Sequence, residues 1–301
     1  MTLSILIPVY NDDAQALVAK VLEQVSALRE SVEVIVADDY STTDTAWLDG
    51  VALWPNVRVC RNARNLGRAA NRNGLAAMAQ GQWLLYLDAG NVIADPDFLA
   101  KYYAARDEAD IVVGGVAVSE ATCTPQCSLR WRYEHQAARR YHDALAAHRS
   151  LDDWPFRSAA FLVRRDVMAR VAFDERLVGY GYEDVLFGIE ARQCGITVAH
   201  IDAPIELDRL ESNDVFLAKT QEALTALYSL RSRIGSHSPL VRLSNLLEAM
   251  HLSGAVRLAY RLLRKPLRCN LLSPDPSLRV FAFYKLGFYL TIAAERSHKM
   301  P

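Results

Sequence analysis

Short apolar runs rich in β-branched residues constrain this chain more than any other feature. Each stops at a polar turn, and amphipathic helical stretches separate them. Leu3–Val9 (Leu-Ser-Ile-Leu-Ile-Pro-Val) is nearly continuous in its apolarity, as expected of a strand buried on both faces of a parallel sheet. Pro8 removes a backbone donor, which suits the carboxyl end of that strand. Tyr10, Asn11, Asp12 and Asp13 make the turn, and Asp13 can cap a helix over 14–29 that is apolar at Ala16, Leu17, Val21, Val25 and Leu28. Val32–Ala37 repeats the strand pattern and runs into Asp38-Asp39-Tyr40-Ser41, and Val57–Cys60 and Trp83–Leu87 give a third and a fourth strand. This β–α–β rhythm predicts an α/β doubly wound sheet with ligands held at the carboxyl ends of its strands. Asp110–Val118, Phe156–Arg164 and Ile196–Ile201 read as further strands.

What stands at those strand ends carries the chemistry. Asp38 and Asp39 follow the second strand and Asp88 follows the fourth. Between them, residues 61–74 concentrate Arg61, Arg64, Arg68 and Arg72 with the amides of Asn65, Asn71 and Asn73. Gly67-Arg68 opens a helical pattern, and a helix N-terminus with guanidinium forks suits a diphosphate. The same residues also read as a solvated basic helix face. No Gly-x-Gly-x-x-Gly follows the first strand and no Gly-Lys-Ser/Thr loop occurs, so neither a dinucleotide fingerprint nor a P-loop is present. A carboxylate such as Asp88, facing arginines and amides, can hold a hard divalent cation that in turn holds phosphates. In Phe173–Gly188, the glycines Gly179 and Gly181 leave room for a close-lying ligand or for backbone at positive φ. Glu183 and Asp184 then open a helical pattern, where the positive end of the helix dipole favours ionised carboxylates. Asp184 can accept a proton from a bound hydroxyl. The pair equally fits a helix start with solvated carboxylates. Trp131, Tyr133, Tyr141 and Trp154, interspersed with arginines over 119–155, read either as platforms for sugar rings or as the edge of a core.

Charge divides the chain. Residues 231–301 hold 12 Lys/Arg and 3 Asp/Glu, a net +9, while the remaining 22 and 32 give −10, so the overall −1 conceals a basic module on an acidic body. Such asymmetry points to an anionic partner surface, membrane or nucleic acid. Leu243–Leu267 sets Leu247, Ala255, Leu258 and Leu262 against Arg257, Arg261, Arg264 and Lys265. It reads as part of a helical bundle or as a helix lying on an anionic bilayer. Gly235-Ser-His-Ser-Pro239 reads as the linker before it. Five cysteines without framework spacing indicate reduced thiols of a cytoplasmic protein. The N-terminus lacks a signal-peptide pattern, and Val280–Ala294, broken by Lys285, is too short to span a bilayer.

In order and spacing, the set strand-Pro8-Val-Tyr10-Asn11, strand-Asp38-Asp39, Asn65-Leu-Gly67-Arg68 through Arg72-Asn73, strand-Asp88, and Gly179-Tyr-Gly-Tyr-Glu183-Asp184 resembles the inverting family 2 glycosyltransferases. The resemblance covers Leu3–Leu230. The tail, with Asn270-Leu-Leu-Ser-Pro-Asp-Pro-Ser-Leu278 and Tyr284-Lys-Leu-Gly-Phe-Tyr289, is similar to one on certain bacterial members. The resemblance implies the GT-A fold, a Rossmann-like, mostly parallel sheet flanked by helices, plus a C-terminal helical extension. It implies a domain over 1–230, divided into a nucleotide-sugar half (1–118) and an acceptor half (119–230), and a basic extension over 231–301.

It also implies roles. Pro8, Tyr10, Asn11 and Asp39 match the wall around the nucleotide's base and ribose, usually uridine. Asn65, Arg68 and Arg72 match the segment near base and diphosphate. Asp88 matches the first carboxylate of the Asp-x-Asp that holds Mn2+ or Mg2+. Asp184 matches the general base, and Glu183 supports the acceptor site. The implied reaction moves a sugar from a nucleotide donor, a UDP-sugar by this likeness, to a hydroxyl of a glycan or lipid-linked acceptor. The expected place is the cytoplasm, with peripheral contact to the inner face of the membrane, and nucleic acid is not an implied partner.

Three positions depart from the pattern. Gly90 stands where the second Asp of Asp-x-Asp belongs, Leu207 stands where relatives carry a His after Pro204, and Ala159 or Ala160 replaces an Asn. Asn91 or Asp95 can offer oxygen in place of the first loss, and His200 lies near the second in sequence. The departures keep a second reading open, a catalytically weak or inactive nucleotide-sugar-binding partner in a glycan-assembly complex.

Overall fold

The computed structural model describes residues 1–152, 154–177 and 179–297, so Val178 of the glycine-rich stretch and the last four residues of the basic extension lie outside the described residues. The first part alternates strand and helix: β1 (Leu3–Val9), α1 (Gln15–Val25), β2 (Val32–Asp38), α2 (Ala46–Val51), β3 (Val57–Arg61), α3 (Arg68–Met78) and β4 (Trp83–Leu87). Next come β5 (Asn91–Val92), α4 (Phe98–Ala104), β6 (Ile111–Val113), β7 (Val116–Ala117), α5 (Ser128–Ala146), β8 (Ala160–Arg164), α6 (Arg165–Arg170), α7 (Glu183–Gln193), β9 (Val198–His200) and β10 (Ile205–Leu207). The rest is helical, with α8 (Asn213–Ser229), α9 (Arg231–Ile234), α10 (Pro239–Ala249), α11 (Ser253–Leu271) and α12 (Leu278–Ser297). The chain forms two compact units: one of Met1–Ser119, Ala137–Val178 and Glu183–Arg209, the other of Glu120–Gln136, Gly179–Tyr182 and Leu210–Pro301.

The first unit is built on a sheet of order β3-β2-β1-β4-β8-β6-β9. Its strands are parallel except β8, which runs antiparallel to both β4 and β6. The period of two in a strand sorts the continuous apolar runs onto two faces. Leu3, Ile5, Ile7 and Val9 join Val34, Val36, Leu85 and Leu87 in one buried cluster, while Leu6, Ile35, Leu84 and Tyr86 join Phe161 and Phe187 in another. Ser4 interrupts the run yet is fully buried, because its hydroxyl donates to Glu33 at 2.6 Å and accepts from the Gly81 amide. The run expected over 110–118 is two strands. At Gly114-Gly115 the chain leaves the main sheet for a small one of order β5-β10-β7. Gly115 has φ +84°, and a Cβ on Gly114 would meet the Ala203 carbonyl, so only glycines permit the crossing.

In the second unit, α8, α11 and α12 bury Phe216, Leu217, Tyr260, Leu271, Phe281 and Tyr284 together with Leu129. Gly287 lets α12 lie directly on the Tyr260 ring.

Gly188 in α7 tests how tightly the helix bearing Glu183 and Asp184 is seated. Glycine to alanine in a helix interior ordinarily adds roughly 1 kcal/mol of stability. Here a Cβ would press into the Phe156 side chain, and overpacking costs about 1–3 kcal/mol. Gly188→Ala is therefore expected to lower the midpoint of denaturant unfolding; an increase would show that α7 sits loosely.

Candidate active site

The end of β4, helix α3 and the first turn of α7 meet around a buried cation. Arg72, on α3, is 2% exposed. Its Nη2 donates to Asp88 Oδ1 at 2.7 Å, and its Nη1 lies 3.9 Å from Glu183 Oε1. Arg68, one turn earlier on α3 and mostly exposed, brings its Nη1 to 3.7 Å from the same Glu183 oxygen. The Phe173 ring lies under the Arg72 guanidinium, 5.4 Å away, and Tyr86 donates its hydroxyl to the Arg72 carbonyl. Burial alone would lower the Arg72 pKa, but the charges of Asp88 and Glu183 outweigh it and the pKa is raised, so the guanidinium is permanently positive. Its Nε and Nη1, like Glu183 Oε2, have no hydrogen-bond partner among the described residues.

Other contacts fix α3 and the approach to α7. The Asn73 amide donates to the Phe173 carbonyl and accepts from the Phe173 N–H, tying α3 to the segment that leads into the Glu183-Asp184 turn. Asp39 is buried at the end of β2. It accepts from Asn62 Nδ2 and the Leu66 N–H through Oδ1, and from the Gly67 N–H through Oδ2. It therefore sets where α3 begins, a job the sequence does not reveal. Asp38 accepts from the Ser41 N–H. Asn11, at φ 53°, receives the Thr42 and Thr43 amides on Oδ1, joining the turn after β1 to the one after β2. Pro8 is half-buried, and Tyr10, Asn65 and Arg68 are exposed.

Asp184 opens α7 beside Glu183, and its Oδ1 accepts from the Val185 N–H. The dipole argument led us to expect an ordinary ionised carboxylate, and the structure corrects this. Although part of Asp184 remains exposed, protein surrounds its carboxyl group. Lost solvation, reinforced by the Glu183 charge, pushes its pKa up to about 6 against the opposing pull of the Val185 amide, Arg157 and Arg72.

Several sequence expectations find structural partners instead. In the second unit, Gly181 takes φ +103°, the backbone use expected of it, while a Cβ there would lie 2.7 Å from Ala223 Cβ and the Tyr180 N–H donates to Glu222. Tyr141 is buried and donates to the Val113 carbonyl, and Tyr133 packs against Phe216 and Phe281; both edge a core. His200 shares a hydrogen bond with Tyr141, and burial together with Arg192 lowers its pKa to about 4, so it is neutral.

A divalent cation fits these residues poorly. Asp88 Oδ1 is committed to a buried guanidinium, whose charge would repel a metal ion placed there. Asp95 is paired with Lys101 at 2.6 Å, and the Asn91 amide points to the Ala159 carbonyl. Among the described residues, no group of three His, Cys, Asp or Glu side chains has metal-binding geometry. Two residues outside the sequence-derived set stand near the missing ligand. A Cβ on Gly90 would lie 2.6 Å from Asp12 Oδ2, and Arg209 Nη1 lies 3.3 Å from Asp12 Oδ1.

Residues 4–171, more than half of the chain, match the family described as Glycosyl transferase family 2. Over 88 residues the chain is 39% identical to an uncharacterized glycosyltransferase of Haemophilus influenzae. That match covers 29% of this chain and 28% of the relative's length. In fold it is similar to mannosyltransferase PcManGT from Pyrobaculum calidifontis, solved in complex with GDP-Man and Mn2+ (TM-score 0.61, 16% identity, 98% of this chain and 86% of that one). It is also similar to TarS of S. aureus in complex with UDP (TM-score 0.50, 18% identity, 100% and 92%). The mostly parallel sheet flanked by helices is that of GT-A glycosyltransferases.

A carboxyl group with a raised pKa gives a stability prediction. The folded protein favours protonated Asp184, so this contribution is fully present below the unfolded pKa near 3.8 and is lost as pH rises through about 6. Asp184→Asn removes the buried charge and should stabilise the fold at pH 8 by about 3 kcal/mol, read as a higher melting temperature. The difference should vanish near pH 4. Equal melting of both proteins at pH 8 would show a solvated carboxylate.

Proposed function

Because the chain belongs to glycosyl transferase family 2, we propose that it moves a sugar from a nucleoside-diphosphate donor, a UDP-sugar, to a hydroxyl of a glycan or lipid-linked acceptor. Transfer inverts the anomeric centre, with Asp184 as general base. The observation that carries this reading is the Asp184 carboxyl group, its pKa raised to about 6, standing beside the Asp88–Arg72–Glu183 chain of charges. A base whose pKa lies near working pH is a stronger proton acceptor than an ordinary aspartate yet is still ionised at pH 7. Asp184 takes the acceptor's hydroxyl proton and the oxygen attacks the anomeric carbon. The bond from that carbon to the diphosphate oxygen breaks, and its electron pair leaves with the nucleoside diphosphate.

In this reading residues 1–118 bind the donor, with Pro8, Tyr10, Asn11, Asp39 and Asn65 toward base and ribose and Arg68, Arg72 and Asp88 toward the diphosphate. Residues 119–230 receive the acceptor, with Glu183 helping to orient it. Asp184→Asn should lower turnover by roughly 10²–10⁴-fold while UDP binding persists. Wild-type activity should fall as pH drops through about 6, where Asp184 becomes protonated. Transfer by the Asn variant at the wild-type rate would remove Asp184 as base. Binding of UDP-sugars by the wild type without turnover under any condition would favour the second reading, a non-catalytic partner in glycan assembly, which the Gly90 substitution motivates.

In the same proposal the basic extension meets an anionic membrane surface. Among the described residues no helix is long and apolar enough to cross a membrane. On α11, however, Leu258, Leu262 and Leu263 are exposed, Leu262 at 72%, beside Arg257, Arg261, Arg264 and Lys265. Apolar side chains flanked by cations suit the interface of an anionic bilayer. The full chain should cosediment with phosphatidylglycerol vesicles and not with phosphatidylcholine ones. Replacing the three leucines by serine should weaken that binding by about tenfold or more; unchanged binding would assign the surface to protein contacts.

A further inference from the structure

We propose that this protein holds the donor's diphosphate with its own arginines, Arg209 above all, in place of a divalent cation. The inference rests on the nucleotide-sugar reading above and concerns only how the leaving group's charge is met. Three observations carry it. The first carboxylate of the expected metal motif, Asp88, is bound to the buried Arg72 at 2.7 Å, so its charge is already compensated inside the protein. The second carboxylate is absent from position 90, and the space a side chain would take there is occupied by the carboxylate of Asp12, which comes from the turn after β1. That carboxylate is in turn paired with Arg209, just past β10. Asp88 and Asp12 thus each carry an arginine, and the two arginines come from different elements, α3 and the segment after β10.

The two guanidinium groups differ in what they can do. Arg72 is 2% exposed and its charge is met by Asp88 inside the protein. The Arg209 side chain is 65% exposed, so its pairing with Asp12 is a solvent-accessible one of small strength. Such a pair can be exchanged for the donor's diphosphate, which carries one negative charge on each phosphate and to which a guanidinium donates two parallel hydrogen bonds. Asp12 then acts as the resting partner that keeps Arg209 at residue 90. As the bond from the anomeric carbon to the diphosphate oxygen breaks, the electron pair passes to that oxygen, and Arg209 meets the charge that develops there. Arg209 binds and positions; the proton still goes to Asp184.

The test measures nucleotide binding by titration calorimetry on the full chain, with UDP and with GDP, each in EDTA and in Mn2+. Wild type should bind one of them with the same affinity in both conditions. Arg209→Ala should lose about tenfold or more in EDTA, and Mn2+ should not restore it. Asp12→Asn, which releases Arg209 but removes a carboxylate, should bind as tightly as wild type or more so. Thermal melting of both variants checks their folding, since residues 12 and 209 are both solvent-accessible. Nucleotide binding that requires Mn2+ and is weakened by Asp12→Asn would overturn the inference while leaving the donor reading intact, with Asp12 then a metal ligand. Retention of wild-type affinity by Arg209→Ala would also overturn it. Absence of UDP or GDP binding in every condition would sink the donor reading and this inference with it.

Discussion

A guanidinium in a protein interior is tolerated only where carboxylates surround it, and Arg72 imposes that condition on everything near it. Asp88 must arrive from the end of β4, Glu183 from the first turn of α7, and the Phe173 ring from the segment between α6 and α7. Removing either acid would leave an under-compensated buried charge. The alignment of α3 with the sheet, and of α7 with α3, is therefore electrostatic as well as apolar. Asp39 contributes from β2 by fixing the amides of Leu66 and Gly67 where α3 begins. One ion cluster thereby registers α3 and the end of β4 against α7, which comes far later in the chain.

The same cluster explains why two adjacent acids behave differently. Glu183 faces Arg72 and Arg68 through one oxygen, whereas Asp184 sees mostly lost solvent and the negative charge of its neighbour. Position in the fold, not residue type, separates a carboxylate held in an ion cluster from one whose pKa is raised. This parallels the general finding that perturbed carboxyl groups gather where chemistry is done.

Much of this was legible in the chain itself, and the misses have physical causes. Continuous apolar runs such as Leu3–Val9 and Trp83–Leu87 identify central strands because both faces are buried, and Asp38, Asp39 and Asp88 mark their carboxyl ends. Direction is another matter. The pattern of Ala160–Arg164 is the same whichever way the strand runs, so the reversal of β8 leaves no trace in sequence. The break at Gly114-Gly115 looked like a strand interior because only contacts with Ala203 and Tyr141 reveal the crossing. Asp184's pKa depends on burial, which spacing does not report. The pairing of Asp12 with Arg209 spans 197 residues. Gly90 was its only sequence hint, read as a loss rather than as space for another side chain.

The reversed strand has an architectural outcome of its own. In a wholly parallel sheet, every segment that enters a strand lies at the rim opposite the ligand. Because β8 runs the other way, its entry lies at the same rim as the exits of β1, β2 and β4, where the Asp88 N–H donates to the Ala159 carbonyl. Arg157 accordingly acts electrostatically on Asp184. The residues that lead directly into β8, Arg157 to Ala159, thus stand at the rim of the candidate site. Exchanges at Arg157 can therefore alter the charge that Asp184 meets without disturbing a single strand pairing.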